Sequence, residues 1–459
     1  MKRTIKLALS ASLLLGATSA FATNGDVMIG QGAKSRSMGG IGIAKTFGAE
    51  SALANPAGIA SVEGMEVTGA LTMFTPSVSF GSNTGANATP ATSPGGAYNT
   101  ANASAPITKG DSAVGSSYIP EISFAHRLTD NFVYGVSVNG VAGMGTDYKD
   151  TAATGNGAFD MTTALSILKV SVPLAYSNSG FTLGVSPVFQ YGTLQMNYLK
   201  SDGAGGYVRS TNPESSDSAF GFEVGIAYDM FPAGETGLTI AAVYKSKIEM
   251  EYANNIGAAM KDFGVQSIKS GDKLDQPAEF GIGFAYEVSG STLAFDYKNI
   301  AWADAAGYGD FGWENQNVYA FGYEYAASSW ALRLGYNYGK SPISEQANTM
   351  GDPSGYDAGA TNFFNLSGFP GIVKQHYTFG GGYSISKAFS LDAAVVYAPE
   401  VTESFNTSGM SAGMVYQGQL ATNGGDKAAA AGAAGGTGAS SADVTHSQMG
   451  FTIAATYSF

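Results

Sequence analysis

The sequence predicts an all-β fold, a transmembrane antiparallel β-barrel of about 14 strands whose lumen is plugged by an N-terminal hatch. Three observations lead to this prediction. The chain ends in a strand with one apolar face, and its composition is poor in charge but rich in glycine and aromatic residues. Its strand-like segments are also joined alternately by short and long connections.

The last ten residues alternate with period two, as a β-strand with one apolar face does. Apolar or aromatic side chains occupy every second position: Phe451, Ile453, Ala455, Tyr457 and Phe459. An uncovered apolar edge strand promotes aggregation in water, whereas a bacterial barrel closes on such a strand with lipid outside. The last strand of a soluble all-β domain is the alternative. The terminal Phe459 resembles the signal read by the barrel assembly machinery, which is therefore an expected partner.

Residues 1–22 are predicted to be a signal peptide, with a basic start, an apolar run over residues 7–17 and the cleavage motif Ala20-Phe21-Ala22. The run is shorter than the about 20 apolar residues that a membrane-spanning helix needs, and no other stretch of that length lacks polar residues. Strands cross a bilayer only as a closed barrel, because closure satisfies their backbone hydrogen bonds. We therefore expect the outer membrane of a Gram-negative bacterium, with outer-membrane lipids around the barrel.

The composition separates a membrane barrel from a soluble protein. Charged residues make up 13% of the chain, against about 25% in ordinary soluble domains. The 63 glycines and 25 tyrosines suit barrel strands, in which aromatic rings lie at both membrane interfaces. The absence of cysteine and the presence of only three histidines predict no cofactor and no metal site. The net charge of −13 argues against nucleic acid as a partner.

The mature chain is predicted to have two parts. Residues 23–64, the predicted hatch, show no alternation of apolar and polar residues, whereas residues 65–459, the predicted barrel, do. Within a pair of strands the connection is short, and between pairs it is long, as in outer-membrane barrels. The loop at 253–276 carries apolar residues at a spacing that fits a short amphipathic helix. The predicted strands are 65–80, 116–128, 132–145, 163–177, 181–199, 217–230, 236–252, 277–288, 291–302, 315–326, 330–340, 373–385, 389–399 and 446–459.

The charged residues of these strands fall on the face that points inward. A Lys or Arg facing lipid at mid-bilayer costs about 2–4 kcal/mol, so this placement supports the predicted register. The inward charges either form a structural network of pairs across the lumen or bind a ligand. About eight strands suffice for an interior filled by side chains, so a wider barrel leaves room for residues 23–64 as a plug.

Several motifs together resemble the FadL-type outer-membrane transporters, channels for long-chain fatty acids and aromatic hydrocarbons. The glycine-rich stretch at 39–44 and the tripeptide Asn55-Pro56-Ala57 look like the hatch of that family. Further matches follow in order along the chain: Tyr244-Lys245-Ser246, Phe295-Asp296-Tyr297 with Trp302, Arg333-Leu334-Gly335-Tyr336-Asn337-Tyr338, His376-Tyr377-Thr378 and Gly380-Gly381-Gly382-Tyr383.

This resemblance implies passive uptake of long-chain fatty acids or similar hydrophobic molecules. The cargo is captured by external loops, binds in the lumen, and leaves sideways into the membrane at a kinked third strand. In this chain the third strand contains Asn139, Gly140 and Gly143. Glycines permit a bulge or break in a ladder, although here they also fit the end of a strand at the barrel rim.

The choice between cargo classes depends on luminal cations. A fatty-acid carboxylate favours a cation, ideally the forked pair that an arginine makes. Arg333 is the candidate for that fork, and Lys245, Lys247 and Lys298 are the other predicted substrate-binding residues. A neutral aromatic or aliphatic hydrocarbon needs only an apolar tunnel.

Two other functional classes are alternatives to transport. An enzyme in a barrel needs a nucleophile with a base, and no Gly-x-Ser-x-Gly motif lies near any histidine, so the sequence predicts no enzyme. A non-transporting, adhesin-like barrel is suggested by the long loops. A plug serves no purpose in adhesion, so deletion of residues 23–60 distinguishes the two functions.

Overall fold

The structure, a computed structural model, confirms the predicted barrel. The signal-peptide prediction for residues 1–22 lies outside the described residues, as does the larger part of residues 81–115, which connect the first two predicted strands. The structure describes residues 23–84, 107, 109–149, 158–201, 207–230, 236–348, 355–422 and 424–459.

Fourteen antiparallel strands form a closed barrel. The first and last strands pair from Ala442 opposite Ser82 to Ser458 opposite Glu66, which closes the wall and removes the sheet edges. The strands are β1 (Met65–Ser82), β2 (Ser117–Arg127), β3 (Phe132–Asp147), β4 (Thr162–Ser171 and Leu174–Asn178), β5 (Phe181–Asn197), β6 (Ser215–Asp229), β7 (Thr236–Lys245), β8 (Glu279–Val288), β9 (Ser291–Ile300), β10 (Gln316–Ala326), β11 (Trp330–Gly339), β12 (Gln375–Ser384), β13 (Phe389–Asn406) and β14 (Ser441–Ser458).

The alternation of side chains between lipid and lumen follows the predicted register. Leu293, Phe321 and Leu334 are exposed on the outer face. Their neighbours Ala294 and Ala320 are buried on the inner face. Successive side chains of a strand point to opposite faces, so the face on which one residue lies determines the face of every other residue in that strand.

The strands differ from their predicted bounds mainly above the membrane. β7 ends at Lys245 instead of residue 252, and the following residues make only isolated bridges, such as Ile248 with Gln276. β13 and β14 extend to Asn406 and from Ser441, past a bulge that follows Ala398. Their outer faces carry polar residues, such as Thr402 and Asp443, so they lack the apolar outer face that marks lipid-facing strands.

Helices occur in the N-terminal segment and in the outer loops. The predicted amphipathic helix is present as α2 (Ile256–Phe263). The others are α1 (Gly32–Ser37), α3 (Tyr356–Ser367), α4 (Ser408–Thr422) and α5 (Lys427–Gly435). Over the described ranges, no helix has both the length and the apolar character that crossing a bilayer requires.

Candidate functional site

The N-terminal segment, residues 23–64, lies inside the barrel and is bonded to its inner wall. Arg36 of α1 is 1% exposed and forms an ion pair with Glu121 of β2. The same guanidinium donates to the hydroxyl of Thr72 on β1 at 2.6 Å. The second carboxylate oxygen of Glu121 accepts the backbone N–H of Gly32 at 2.6 Å. Through its two terminal nitrogens, this buried arginine attaches the segment to two strands.

The tripeptide Asn55-Pro56-Ala57 begins a 3₁₀-helix, Pro56–Ser61, that packs on the wall. The Asn55 side chain caps it by accepting the N–H of Ala57 at 3.0 Å and donates to the carbonyl of Ile43 at 2.9 Å. The helix contacts the wall where β5 and β6 carry Gly184 and Gly225 opposite each other. A Cβ at residue 184 would lie 2.1 Å from the nitrogen of Ala57, so only glycine permits this approach.

The glycine-rich stretch at 39–44 is held by two polar side chains of the wall. The Asp296 carboxylate on β9 accepts the N–H groups of Gly42 and Ile43 at 2.8 and 2.9 Å. The Asn337 amide on β11 donates to the carbonyl of Gly39 at 3.0 Å. Together with Glu121, these contacts attach the N-terminal segment to widely separated strands of the wall.

Arg333, the predicted carboxylate fork, is already engaged by two carboxylates of the protein. Its Nε lies 2.6 Å from Glu324 Oε2 on β10, and its Nη1 lies 2.7 Å from Asp392 Oδ1 on β13. The residue is 6% exposed. This geometry is that of the paired-charge network, the structural alternative that the sequence left open.

The three predicted lysines lie in different surroundings. Lys245 is 3.2 Å from Glu279 and lines a small cavity of about 40 Å³ between the N-terminal segment and the wall. Lys298 is buried on β9, and its charge and that of Lys245 both act on Glu279. Lys247 lies beyond the end of β7, partly exposed, 3.4 Å from Asp275. The structure thus brings Lys245 and Lys298 together and leaves Arg333 and Lys247 elsewhere.

The wall is interrupted on one side of the third strand. Pairing between β2 and β3 ends at Glu121 opposite Asn139, and no ladder joins residues 117–120 to residues 140–147, both of which are described. On the other side, β3 shifts its register against β4 between Gly140 and Ala142. Such a bulge bends a strand and ends its pairing. We call this break, between residues 117–120 of β2 and 140–147 of β3, the lateral gap; Gly143 lies within it.

The start of the N-terminal segment occupies the free edge of β3 at the lateral gap. Residues 23–28 form a hairpin, in which Asn24 pairs with Val27. Val27 also pairs with Ala142, and Gly143 donates its N–H to the carbonyl of Asp26 at 3.1 Å. We call residues 23–28 the N-terminal hairpin. It supplies the third strand with backbone partners where β2 supplies none.

The tip of the N-terminal hairpin is enclosed by three aromatic residues of one outer loop. Trp302, Tyr308 and Trp313, here called the aromatic trio, pack with ring centroids 4.7 to 5.1 Å apart. Gly25, at a φ of +70°, lies against this trio, and a Cβ there would be 2.6 Å from the Trp302 ring. The tip therefore requires glycine for both its backbone conformation and its contact.

Asp26 follows at this tip and is 0% exposed. Its Oδ2 accepts the Tyr308 hydroxyl and the Gln276 amide, the latter at 3.3 Å. Burial raises the pKa of this carboxyl to about 6, against the lowering effect of those hydrogen bonds. Burial and the neighbouring Asp26 also raise the pKa of Tyr308. Sequence reasoning missed Asp26, although Gly25-Asp26, the two residues at the centre of the turn, are a hairpin-loop dipeptide.

The outer loops form an apolar cluster above the lumen. α2 and α3 contribute aromatic rings that meet edge to face, with Phe263 and Phe364 centred 5.0 Å apart. Phe159 and Phe363 are 5.4 Å apart in the same arrangement. The cluster is continuous with the aromatic trio, so apolar surface runs from the loops to the tip of the N-terminal hairpin.

Substitution of Arg333 by alanine is expected to destabilise the barrel instead of removing a ligand contact. Loss of one partner from a buried ion pair costs about 3–5 kcal/mol, because the remaining charges stay buried. We expect the folded form to lose its heat-resistant mobility in gel electrophoresis at a lower temperature. Lys340→Ala is the matched control, since the exposed Lys340–Glu314 pair contributes little. Unchanged thermal behaviour of Arg333→Ala would contradict the structural role.

A family model gives the chain its place among known proteins. The model described as "Outer membrane protein transport protein (OMPP1/FadL/TodX)" matches residues 14–366. The chain belongs to this family. It is therefore an outer-membrane channel of the FadL/TodX type for hydrophobic compounds, as the resemblance predicted. The members of the family are transport channels, not enzymes.

Solved structures of FadL/TodX-type channels share this fold at low sequence identity. A FadL homologue of Pseudomonas aeruginosa is 15% identical, with 95% of this chain and 100% of that chain covered and a TM-score of 0.62. The Pseudomonas putida toluene transporter TodX is 17% identical, with 95% and 100% covered and a TM-score of 0.61. The Ralstonia pickettii toluene transporter TbuX is 16% identical, with 94% and 98% covered and a TM-score of 0.56. The comparison with curated protein sequences finds no match.

Proposed function

We propose that this FadL/TodX-type channel takes up hydrophobic molecules passively and releases them sideways through the lateral gap. In this proposal, the outer apolar cluster captures the cargo, the N-terminal segment acts as the hatch, and the cargo enters the membrane between β2 and β3. The observation that carries the proposal is the end of β2–β3 pairing at Glu121 and Asn139. A cargo that leaves through the wall never crosses the polar lower lumen, which favours this route for apolar molecules.

The arrangement of charges favours a neutral hydrocarbon over a fatty acid. A carboxylate taken into the lumen needs a cation that is not already paired. Arg333 and Lys245, two of the predicted cations, are each within 3.2 Å of protein carboxylates. Aromatic or aliphatic hydrocarbons need no such partner. In the alternative, a long-chain fatty acid, the carboxylate contacts Lys245, which lines the small cavity, and Lys298, whose charge acts on the same Glu279.

The test measures uptake in a Gram-negative host that lacks its own channels of this family. We expect radiolabelled toluene or octane to enter faster with this protein than with the empty vector, and oleate to enter no faster. Faster entry of oleate alone would support the fatty-acid alternative. In that case Lys245→Gln combined with Glu279→Gln, which removes both charges of the pair, should abolish it. No gain for any of these compounds would contradict both proposed cargo classes.

A further inference from the structure

Asp26 connects three parts of the molecule that take part in the proposed transport: an outer loop, the lateral gap and the N-terminal hairpin. Its carboxylate accepts hydrogen bonds from Tyr308 of the aromatic trio and from Gln276. Its backbone carbonyl accepts the N–H of Gly143 at the lateral gap. The residue itself lies at the turn of the N-terminal hairpin. One side chain and its own peptide group therefore join an outer loop to the free edge of the third strand.

The contacts of Asp26 are incomplete. Its Oδ1 is buried without a hydrogen-bond partner among the described residues. An unsatisfied buried acceptor loses the hydration that it would regain on exposure, so its burial opposes the closed position of the hairpin. The hairpin is held to β3 by few backbone contacts, Val27 with Ala142 and Asp26 with Gly143. A short hairpin with so few contacts separates from a strand more easily than a barrel ladder does.

We propose that Asp26 is a positioning residue that latches the N-terminal hairpin across the lateral gap, through Tyr308 on one side and Gly143 on the other. This inference rests on the proposed release of cargo through that gap. Apolar cargo entering beside the aromatic trio disturbs the Tyr308 contact. The hairpin then leaves the edge of β3, and the lateral gap opens.

The protonation state of Asp26 gives the latch a pH dependence. The groups that face this carboxyl are the Tyr308 hydroxyl and the Gln276 amide, and the charge of Lys169 acts on it from β4. Asp26 in turn acts on the hydroxyl of Tyr252. In the closed hairpin its pKa is about 6, above its ordinary value of 3.8, so the closed state binds the proton more tightly. The latch is therefore firmest below the ordinary pKa and weakens as pH rises through about 6.

The experiment places a single reporter cysteine at Val27, since the chain has no cysteine of its own. Labelling of Val27→Cys by a maleimide is followed in purified, folded protein at several pH values, in three backgrounds. Each rate is divided by that of the same cysteine in unfolded protein at the same pH, because the thiolate fraction itself rises with pH. With Asp26 present, this relative rate should rise as pH rises through about 6. Asp26→Ala should label about tenfold faster at low pH, the factor expected for a lost buried hydrogen bond. Asp26→Asn, which keeps the acceptor without the charge, should keep a low relative rate at every pH.

Asp296→Asn is the matched control, because Asp296 also holds the N-terminal segment but through Gly42 and Ile43. It should leave the labelling of residue 27 unchanged. Equal labelling with Asp26, alanine or asparagine at position 26 would overturn the latch. The asparagine variant keeps this test decisive if the alanine variant fails to fold. Labelling does not depend on cargo, so the latch and the release route can fail separately. If labelling changes as expected but uptake does not depend on the lateral gap, only the proposed route is overturned.

Discussion

The double variant Ile119→Cys/Gly140→Cys is expected to lose uptake of hydrophobic cargo when oxidised and to regain it when reduced. These two positions face each other across the lateral gap. A Cβ at residue 140 would lie 3.9 Å from the Cβ of Ile119, within the range of about 3.5–4.5 Å that disulfides adopt. The bond would join β2 to β3 where no ladder joins them. Uptake of labelled toluene or octane, with and without reductant, measures the effect.

The control is a second cysteine pair on the same two strands. Ser123 and Ser137 are register partners inside the paired part of β2 and β3. Ser123 and Ser137 form a non-hydrogen-bonded pair, since Leu128, five residues along β2, donates to the carbonyl of Phe132. The Cβ atoms of such a pair approach to about 4.5 Å, the upper end of the disulfide range, so Ser123→Cys/Ser137→Cys can also cross-link. This bond reinforces an existing ladder and should leave uptake intact. If both oxidised pairs transport as the reduced ones do, the cargo does not leave through the lateral gap.

The sequence predicted the barrel well because lipid imposes a simple rule on each strand. A charge on the outer face is expensive, and a shift by one residue moves every side chain to the other face. The positions of charged residues such as Glu324, Arg333 and Asp392 therefore indicate from the sequence alone which face of each strand points inward. The rule weakens above the membrane, where the outer face of a strand meets water and carries polar residues such as Thr402 and Asp443. There the predicted ends of β7, β13 and β14 were wrong by several residues.

The candidate site was less predictable because it is made by residues that meet only after folding. The turn at residues 327–329 sets Glu324 opposite Arg333, so half of the Arg333 pairing was implicit in the hairpin. Asp392 comes from a strand that does not pair with β11, and no local pattern places it there. The same applies to Asp26 and Tyr308, which are 282 residues apart. Asp26 lies in a segment in which apolar and polar residues do not alternate, so no sequence pattern indicates that its side chain is buried.

Gly184→Ala is expected to unseat the N-terminal segment while the barrel remains folded. The added methyl group would lie 2.1 Å from the nitrogen of Ala57 and 2.4 Å from the carbonyl carbon of Pro56. These are backbone atoms of a capped 3₁₀-helix, which cannot move aside as a flexible side chain does. Overpacking of this kind costs about 1–3 kcal/mol or more. The segment should therefore leave the wall and open a water-filled lumen, seen as higher ion conductance in planar bilayers.

The matched control is Gly69→Ala on β1, where an added Cβ meets no atom within 4 Å. Its conductance should equal that of the unaltered protein. The comparison isolates the contact with the N-terminal segment, since both substitutions add one methyl group to a barrel-strand glycine. A conductance of Gly184→Ala as low as that of the control would mean that the tripeptide at 55–57 does not hold the plug. A higher conductance of Gly184→Ala would show that the close contact at one glycine keeps the lumen closed. Apolar cargo would then have to leave the unaltered protein through the wall.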